Sequence, residues 1–287
     1  MTGARVRMRR RPLHVVVPGS TRTAVVTPDG EVVVEPVVVA VDRESRPRLF
    51  GTEAVSAASR DSRLELVIPY TQTGVGIRHL AAAHLDWLIT SVGGRRGLAG
   101  VAVPSTPRSV PEQWADVTSI MAVPALVVSR AAVVSNGLGF EAGSALMLID
   151  WQEVGVEVSV MSEDGLILAE HCGRSSIRLV AETARSLLGR LDPDLELAIR
   201  GDAVHLIVER FDTTWVGPLA ARLGVAVEVV DDPLGLLHAG VQADAALIEH
   251  CLAANDVRVR RPAYPRLGRS RTNGAHRLTR PNPTPSH

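Results

Sequence analysis

The 287 residues predict an α/β fold built as two halves on one plan. Three observations carry this. Hydrophobic residues make up 46% of the chain and aromatics only 3%, so the core must come from Val, Leu, Ala and Ile, the mixture of Val-rich strands and Ala/Leu-rich helices that packs in layers. Three closely spaced strand-like runs open the chain, and helices alternating with single strands follow them. The same succession restarts near residue 145, the mark of a repeated unit.

In the first half, Leu13–Val17, Thr23–Thr27 and Glu31–Asp42 read as an antiparallel meander. Pro28-Asp29-Gly30 supplies a turn, Pro presetting φ and Gly accepting φ > 0. Pro36 predicts a bend or an edge position in the third run. Residues 43–65 are charged and mixed, with one helix over Glu53–Arg60. A helix is predicted over Ile77–Val92, with Leu80, His84, Leu85, Leu88 and Ile89 on one face and Gly93-Gly94 ending it. Leu98–Val103 reads as a strand, and Pro111–Met121 as a helix with Pro in its first turn, where a missing N–H is harmless. Pro124–Val128 is another strand and Ala131–Asn136 a short helix ending at Gly137.

In the second half, Ala145–Asp150, Gly155–Met161 and Leu166–His171 form a second meander, turning at Ser162–Gly165. Ile177–Gly189 is an amphipathic helix, Glu196–Arg200 and Ala203–Val208 are strand-like, Trp215–Leu223 is a helix and Val225–Val230 a strand. Pro233–Ala254 reads as one helix, with Asp231-Asp232 as its N-cap.

Two such halves are the layout of the ribonuclease-H-like fold, duplicated in actin, sugar kinases and DnaK-type chaperones. Particular residues narrow the resemblance. Glu31–Asp42 resembles the strand that carries Asn-Glu-Pro-Ser-Val-Val-Ala in MreB, the rod-shape-determining, actin-like family. Val67–Ile89 keeps that family's spacing between an Arg-Pro-Leu segment and the next helix, with Pro69 in place. Val101–Ser105 is similar to its Val-Pro-Ser strand end, and Asp231-Asp232-Pro233-Leu234 with Ala239-Gly240 to its late Asp-Pro-Leu…Ala-Leu-Gly helix start. The resemblance runs from residue 13 to about residue 250. It implies a first lobe at 13–144 and a second at 145–256, flanked by a basic arm at 1–12 and an Arg/Pro-rich tail at 257–287, both expected to lack fixed structure.

Departures from the family set the functional expectation. Actin-like ATPases hold phosphates on two Gly-rich hairpin turns, one in each half, whose N–H groups cradle the oxygens. The family's Asp-Leu-Gly-Thr-Ala-Asn-Thr is matched here by Val17-Pro18-Gly19-Ser20-Thr21-Arg22-Thr23. Val17 replaces a magnesium-water ligand and Pro18 lacks an N–H, while Gly19, Ser20 and Thr21 keep theirs. The family's Asp-Ile-Gly-Gly-Gly-Thr-Thr is matched by Asp150-Trp151-Gln152-Glu153-Val154-Gly155-Val156. Asp150 survives, but Trp151 and Val154 carry side chains where bare backbone is needed. Glu153 brings a carboxylate, and two like charges ~4 Å apart repel by about 4 kcal/mol at an effective dielectric of 20.

The family's adenosine-side Gly-Gly-Gly becomes Val208-Glu209-Arg210. Ser129-Arg130-Ala131 stands for its Glu-Glu-Pro, which positions the attacking water. Arg130 stays protonated and cannot act as a base, although it can bind phosphate. Gly173–Ser176 also joins the second meander directly to the next helix, where the family has a subdomain that walls the cleft and enters the filament contact. The resemblance therefore implies a non-hydrolysing actin-like scaffold. The alternative is an ATP-dependent switch with an altered site of Gly19, Ser20, Thr21, Arg130 and Asp150. No catalytic residue, metal or cofactor is expected, ATP with magnesium being disfavoured.

Charge and cysteine usage bound the partners. The chain has no lysine, and its 31 arginines balance 31 acids. Five arginines lie in residues 1–12 and eight in 257–287, with no acid in either, so the body carries 18 against 31 and a formal charge of −13. Basic ends on an acidic body suggest contact with anionic lipid or with another copy. Nucleic acid is not expected, since the ends offer one aromatic, Tyr264, for base stacking. Cytoskeletal or envelope-growth proteins, and self-association, are the partners the resemblance implies. Two cysteines make no disulfide framework, which fits a reducing cytoplasm, and His171-Cys172 and His250-Cys251 lack zinc-ligand spacing. No apolar run reaches the ~20 residues of a membrane span, and Leu13–Val17 falls short of the ~7–15 of a signal peptide. The expected location is cytoplasmic, at most peripheral to the inner face of the membrane. Asn136-Gly137-Leu138-Gly139 lacks the third glycine of a dinucleotide turn, Ser105 is in no nucleophile elbow, and His79 and His84 fall on different helical faces.

Overall fold

The computed structural model describes residues 11–71, 74–93, 97–139, 144–152, 155–162, 165–173, 176–201, 204–208 and 213–256. The arms, apart from Arg11 and Pro12, and the expectations for Glu153, Val154, Glu209 and Arg210 lie outside the described residues.

The first half opens with β1 (Leu13–Pro18), β2 (Arg22–Val26) and β3 (Val32–Pro36), antiparallel neighbours with Val16 opposite Val25 and Val25 opposite Val33. The run Glu31–Asp42 is not one strand. Proline offers no N–H to a ladder, so β3 stops at Pro36 and the chain passes through Val37-Val38 into β4 (Val39–Val41). β4 pairs with β5 (Pro47–Phe50) and, beyond α1 (Gly51–Ala58), with β6 (Glu65–Val67), giving a separate three-stranded sheet. β7 (Tyr70–Thr71) and β8 (Gly74–Val75) make a short ladder. Then come α2 (Arg78–Ser91), β9 (Leu98–Val103), α3 (Ser109–Ile120), β10 (Ala125–Ser129) and α4 (Arg130–Leu138). β9 runs parallel to β1 and β10 parallel to β9, and the sheet order is β10-β9-β1-β2-β3.

The second half repeats the plan. β11 (Ala145–Gln152), β12 (Gly155–Ser162) and β13 (Gly165–Cys172) form the meander. They are followed by α5 (Ile177–Leu188), α6 (Pro193–Gly201), β14 (Val204–Val208), a 3₁₀ turn at Thr213–Trp215, α7 (Val216–Leu223) and β15 (Val227–Val229). α8 (Pro233–Ala243) and α9 (Ala245–Asp256) complete the described chain. β14 and β15 extend the sheet in parallel, in the order β13-β12-β11-β14-β15.

Two sequence expectations are corrected here. Glu196–Arg200 is helical, not a strand: Asp194 and Glu196 sit in the first turn of α6, where carboxylates favour the helix dipole, while Leu195 and Ile199, four apart, turn to the core. Pro233–Ala254 is two helices, because Asp244, a weak helix former, ends α8 and accepts from Asn136 Nδ2 at 2.7 Å.

Period-2 alternation sorts the strands between three cores. Val16, Val25, Ala99 and Val101 face α2 and α3; Met147, Ile149, Val156 and Val158 face α5 and α7. Val15, Val17, Ala102, Leu146, Leu148 and Met161 face a shared seam, filled by α4, α8 and α9. At the seam the two helices α4 and α8 meet backbone to backbone. A β-carbon on Gly137 would overlap the Leu236 carbonyl, and one on Gly240 the Val133 carbonyl. Gly137 therefore lies inside α4, and Gly139, in the left-handed region, is the cap. Among the described residues no helix is long and apolar enough to cross a membrane.

Candidate functional site

The two hairpin turns singled out in the sequence join β1 to β2 and β11 to β12. Pro18 pairs with Thr23, which leaves Gly19–Arg22 as the first turn. Gly19 is buried and Thr21 exposed, and the Thr21 carbonyl accepts from Val37 N at 2.9 Å. Ser20 Oγ is buried with no hydrogen-bond partner among the described residues. Val17, at the lost aspartate position, is packed into the seam core. In the second hairpin Gln152 pairs with Gly155.

Alternation along β11 places Asp150 and Gln152 on the seam side and Trp151 on the other face. There Trp151 packs on Trp215 with ring centroids 4.2 Å apart. This corrects the expectation that Trp151 blocks the cleft. It anchors the outer core, and other residues fill the seam.

The chief of these is Arg130, the first residue of α4. The helix is capped by Ser129, whose hydroxyl accepts from Ala132 N at 3.3 Å and lies 2.6 Å from Ser105 Oγ. Arg130 Nε is 3.0 Å from Asp150 Oδ2, and both side chains are deeply buried, at 6% and 8% exposure. Gln152 Nε2 donates to the same carboxylate oxygen. The sequence resemblance assigns Arg130 and Asp150 to one ligand site; the structure pairs them with each other.

Directly opposite Asp150 on β12 lies Glu157, 3% exposed. Its Oε2 accepts from Thr106 N at 2.8 Å and Thr106 Oγ1 at 3.0 Å, and its Oε1 from Ser159 Oγ at 3.1 Å. Burial pushes the Glu157 carboxyl above the usual range against those hydrogen bonds, and the Asp150 charge adds to the rise. Glu157 is not legible in the sequence, where Gly-Val-Glu-Val-Ser-Val-Met alternates polar and apolar residues as any half-exposed strand does. Only the fold shows that the polar face is buried.

A magnesium–triphosphate would need oxygen ligands turned to the metal and bare main chain turned to the phosphates. In this chain Asp150 is held by Arg130 and Gln152, Glu157 is committed to Thr106, and Val17 is core. The residues present do not fit that ligand in the arrangement they adopt. Among the described residues no group of His, Cys, Asp and Glu is placed to hold a metal ion. A cavity of about 360 Å³ is lined by Leu138, His205, Glu228, Asp232 and Leu236 among others, and by none of the five sequence-predicted residues.

No protein-family model and no curated protein matches the chain. Solved structures do. MreB5 of Spiroplasma citri bound to ADP superposes with a TM-score of 0.67 over 85% of this chain and 98% of its own, at 11% identity. Its AMPPNP-bound form gives 0.64 over 85% and 99%, again at 11% identity. MamK in a double helical filament gives 0.58 over 82% and 99%, at 14% identity. The topology of each half, the shared seam and these superpositions agree: the chain has the actin-like fold, two ribonuclease-H-like lobes with an inserted sheet in the first and a direct link in the second.

Proposed function

We propose that this chain is a non-hydrolysing, MreB-like cytoskeletal scaffold of the cytoplasm, which associates with itself and with other cytoskeletal or envelope-growth proteins. The buried Arg130–Asp150 pair carries the reading. An arginine and a glutamine already occupy the carboxylate that would serve a metal, and the carboxylate of Glu157 beside it is engaged by Thr106 and Ser159. Self-association draws support from the MamK filament among the structural neighbours. The Arg-rich segments 1–12 and 257–287 would bring the scaffold to anionic lipid at the inner membrane face, each Arg near the surface contributing about 1 kcal/mol. Pelleting and electron microscopy, with and without ATP and anionic vesicles, test this: assembly is expected to be indifferent to ATP, and strict ATP dependence would overturn it.

One observation favours a second reading, an ATP-dependent switch using Gly19, Ser20, Thr21, Arg130 and Asp150. The Ser20 hydroxyl is buried without a partner among the described residues, a cost of about 1–3 kcal/mol that a bound ligand would remove. Titration calorimetry with Mg-ATP separates the two. Binding tighter than ~100 µM, about −5.5 kcal/mol, would support the switch.

A further inference from the structure

Every side-chain contact given above for Arg130, Asp150 and Glu157 joins one half of the molecule to the other or braces a contact that does. Arg130 belongs to the first half and Asp150 to the second, and their charged atoms meet at 3.0 Å. Thr106 lies in the loop after β9 in the first half; Glu157 lies on β12 in the second and takes both Thr106 donors. Asp150 and Glu157 face each other across the β11–β12 ladder, so the two bridges leave the second half from adjacent points. Gln152 braces one and Ser159 the other. Both bridges start from short segments that follow neighbouring parallel strands, β9 and β10.

We infer that Arg130 is a built-in strut. Its guanidinium ties the two halves through Asp150, and the Glu157–Thr106 clamp completes the tie, so the two halves are held together from within. This rests on the reading of the cleft as independent of nucleotide and goes further, assigning the tie between the halves to named side chains. A guanidinium is well matched to such a tie, because it stays charged at every accessible pH and is more weakly hydrated than an ammonium, so it is buried beside a carboxylate at less cost. Burial matters as well. At 6% and 8% exposure the pair is little screened by salt, and removing one partner strands the other charge.

The decisive measurement is the distance between the halves. Ser56→Cys on α1 and Ser186→Cys on α5 are both exposed positions and take spin labels in a Cys251→Ser background, since the remaining Cys172 is buried. In the full chain the strut predicts one narrow distance distribution, the same with and without millimolar Mg-ATP. Arg130→Ala should broaden it about twofold or more, as the halves gain freedom to hinge. Should Arg130→Ala fail to fold, Arg130→Lys and Glu157→Gln keep volume and are expected to broaden it in the same sense by less. A folded Arg130→Ala, or failing that both conservative variants, with the unaltered distribution overturns the strut and leaves the scaffold reading standing. A broad wild-type distribution that narrows only when Mg-ATP is added overturns both.

Discussion

The two halves have the same five-stranded sheet and the same strand order, yet they treat the step after the third strand differently. In the first half, 41 residues separate the end of β3 from the start of α2, and they fold into a small sheet with its own helix. In the second, Cys172 and Ile177 are separated by four residues. The shared part is what buries apolar surface on both faces of a sheet. The inserted part packs partly on small clusters of its own, around Val39, Val41 and Val67 on one side and Val38, Ala40 and Ala54 on the other, and partly into the first-half core through Val37 and Tyr70. The minimal half therefore needs five strands and the helices that cover them, and what is added after the third strand in the first half is joined to that core through Val37 and Tyr70.

The halves differ in polar cores too. The first half buries a chain of hydrogen bonds in which Thr23 Oγ1 lies 2.7 Å from Tyr70 OH, Tyr70 OH 2.8 Å from His84 Nδ1, and His84 Nε2 3.1 Å from the Pro36 carbonyl. The chain ties β2, β7, α2 and the end of β3 together, where the inserted unit begins. Phe50, Trp87 and Trp114 surround it. The second half carries its buried polar groups, Asp150, Gln152, Glu157 and Ser159, on the seam side of its sheet, and its outer cluster is aliphatic apart from Cys172 and Trp151.

Three experiments probe this contrast. The largest effect is expected at the seam that both halves share. Gly240→Ala should cost about 3 kcal/mol in urea denaturation, because the overlap is with backbone and cannot relax by a rotamer change. Gly217→Ala in α7, where a β-carbon meets no atom beyond its chain neighbours, should change stability by less than about 1 kcal/mol, the gain in backbone entropy being offset by crowding against Pro218. If both glycines tolerate alanine equally, the seam is looser than described.

An effect of similar size, confined to acid, is expected from the first half alone. Burial lowers the His84 pKa from 6.5 to about 4. The unfolded chain then takes up a proton below pH 6.5 that the folded chain refuses until about pH 4, so stability is lost as pH falls through that window. At ~1.36 kcal/mol per pH unit the loss approaches about 3 kcal/mol. Denaturation of wild type and His84→Gln at pH 7 and pH 4.5 should show the wild type losing more, and equal losses would remove His84 as the cause.

The smallest effect belongs to the second half. Asp232 Oδ1 caps α8 by accepting from Gly235 N at 2.9 Å, and Asp232→Ala should cost about 1 kcal/mol, read from the denaturation midpoint.

Much of the scaffold was legible in the sequence. The strand Leu98–Val103, the buried face of Leu80, His84, Leu85, Leu88 and Ile89, the second meander and the cap at Asp232 all appear as expected. Each rests on a local signal: an apolar run, a 3.6-residue period, a turn residue. The inserted strands were not legible, since two to four residues are too few to show alternation, and β4 was hidden in one valine run with β3. The cleft was legible as loss and not as gain. Missing glycines and the missing aspartate could be read position by position, and Arg130 and Asp150 could be assigned to one site through the resemblance, but only tertiary structure shows that those two pair with each other and that Thr106 meets Glu157.

The glycines of α4 and α8 carry one last implication. Where two helices approach this closely, Gly137 and Gly240 set their spacing, because a side chain at either position would meet the facing carbonyl. The spacing of the layers at the seam is thereby set by main chain, and a single methyl group at either glycine suffices to change it.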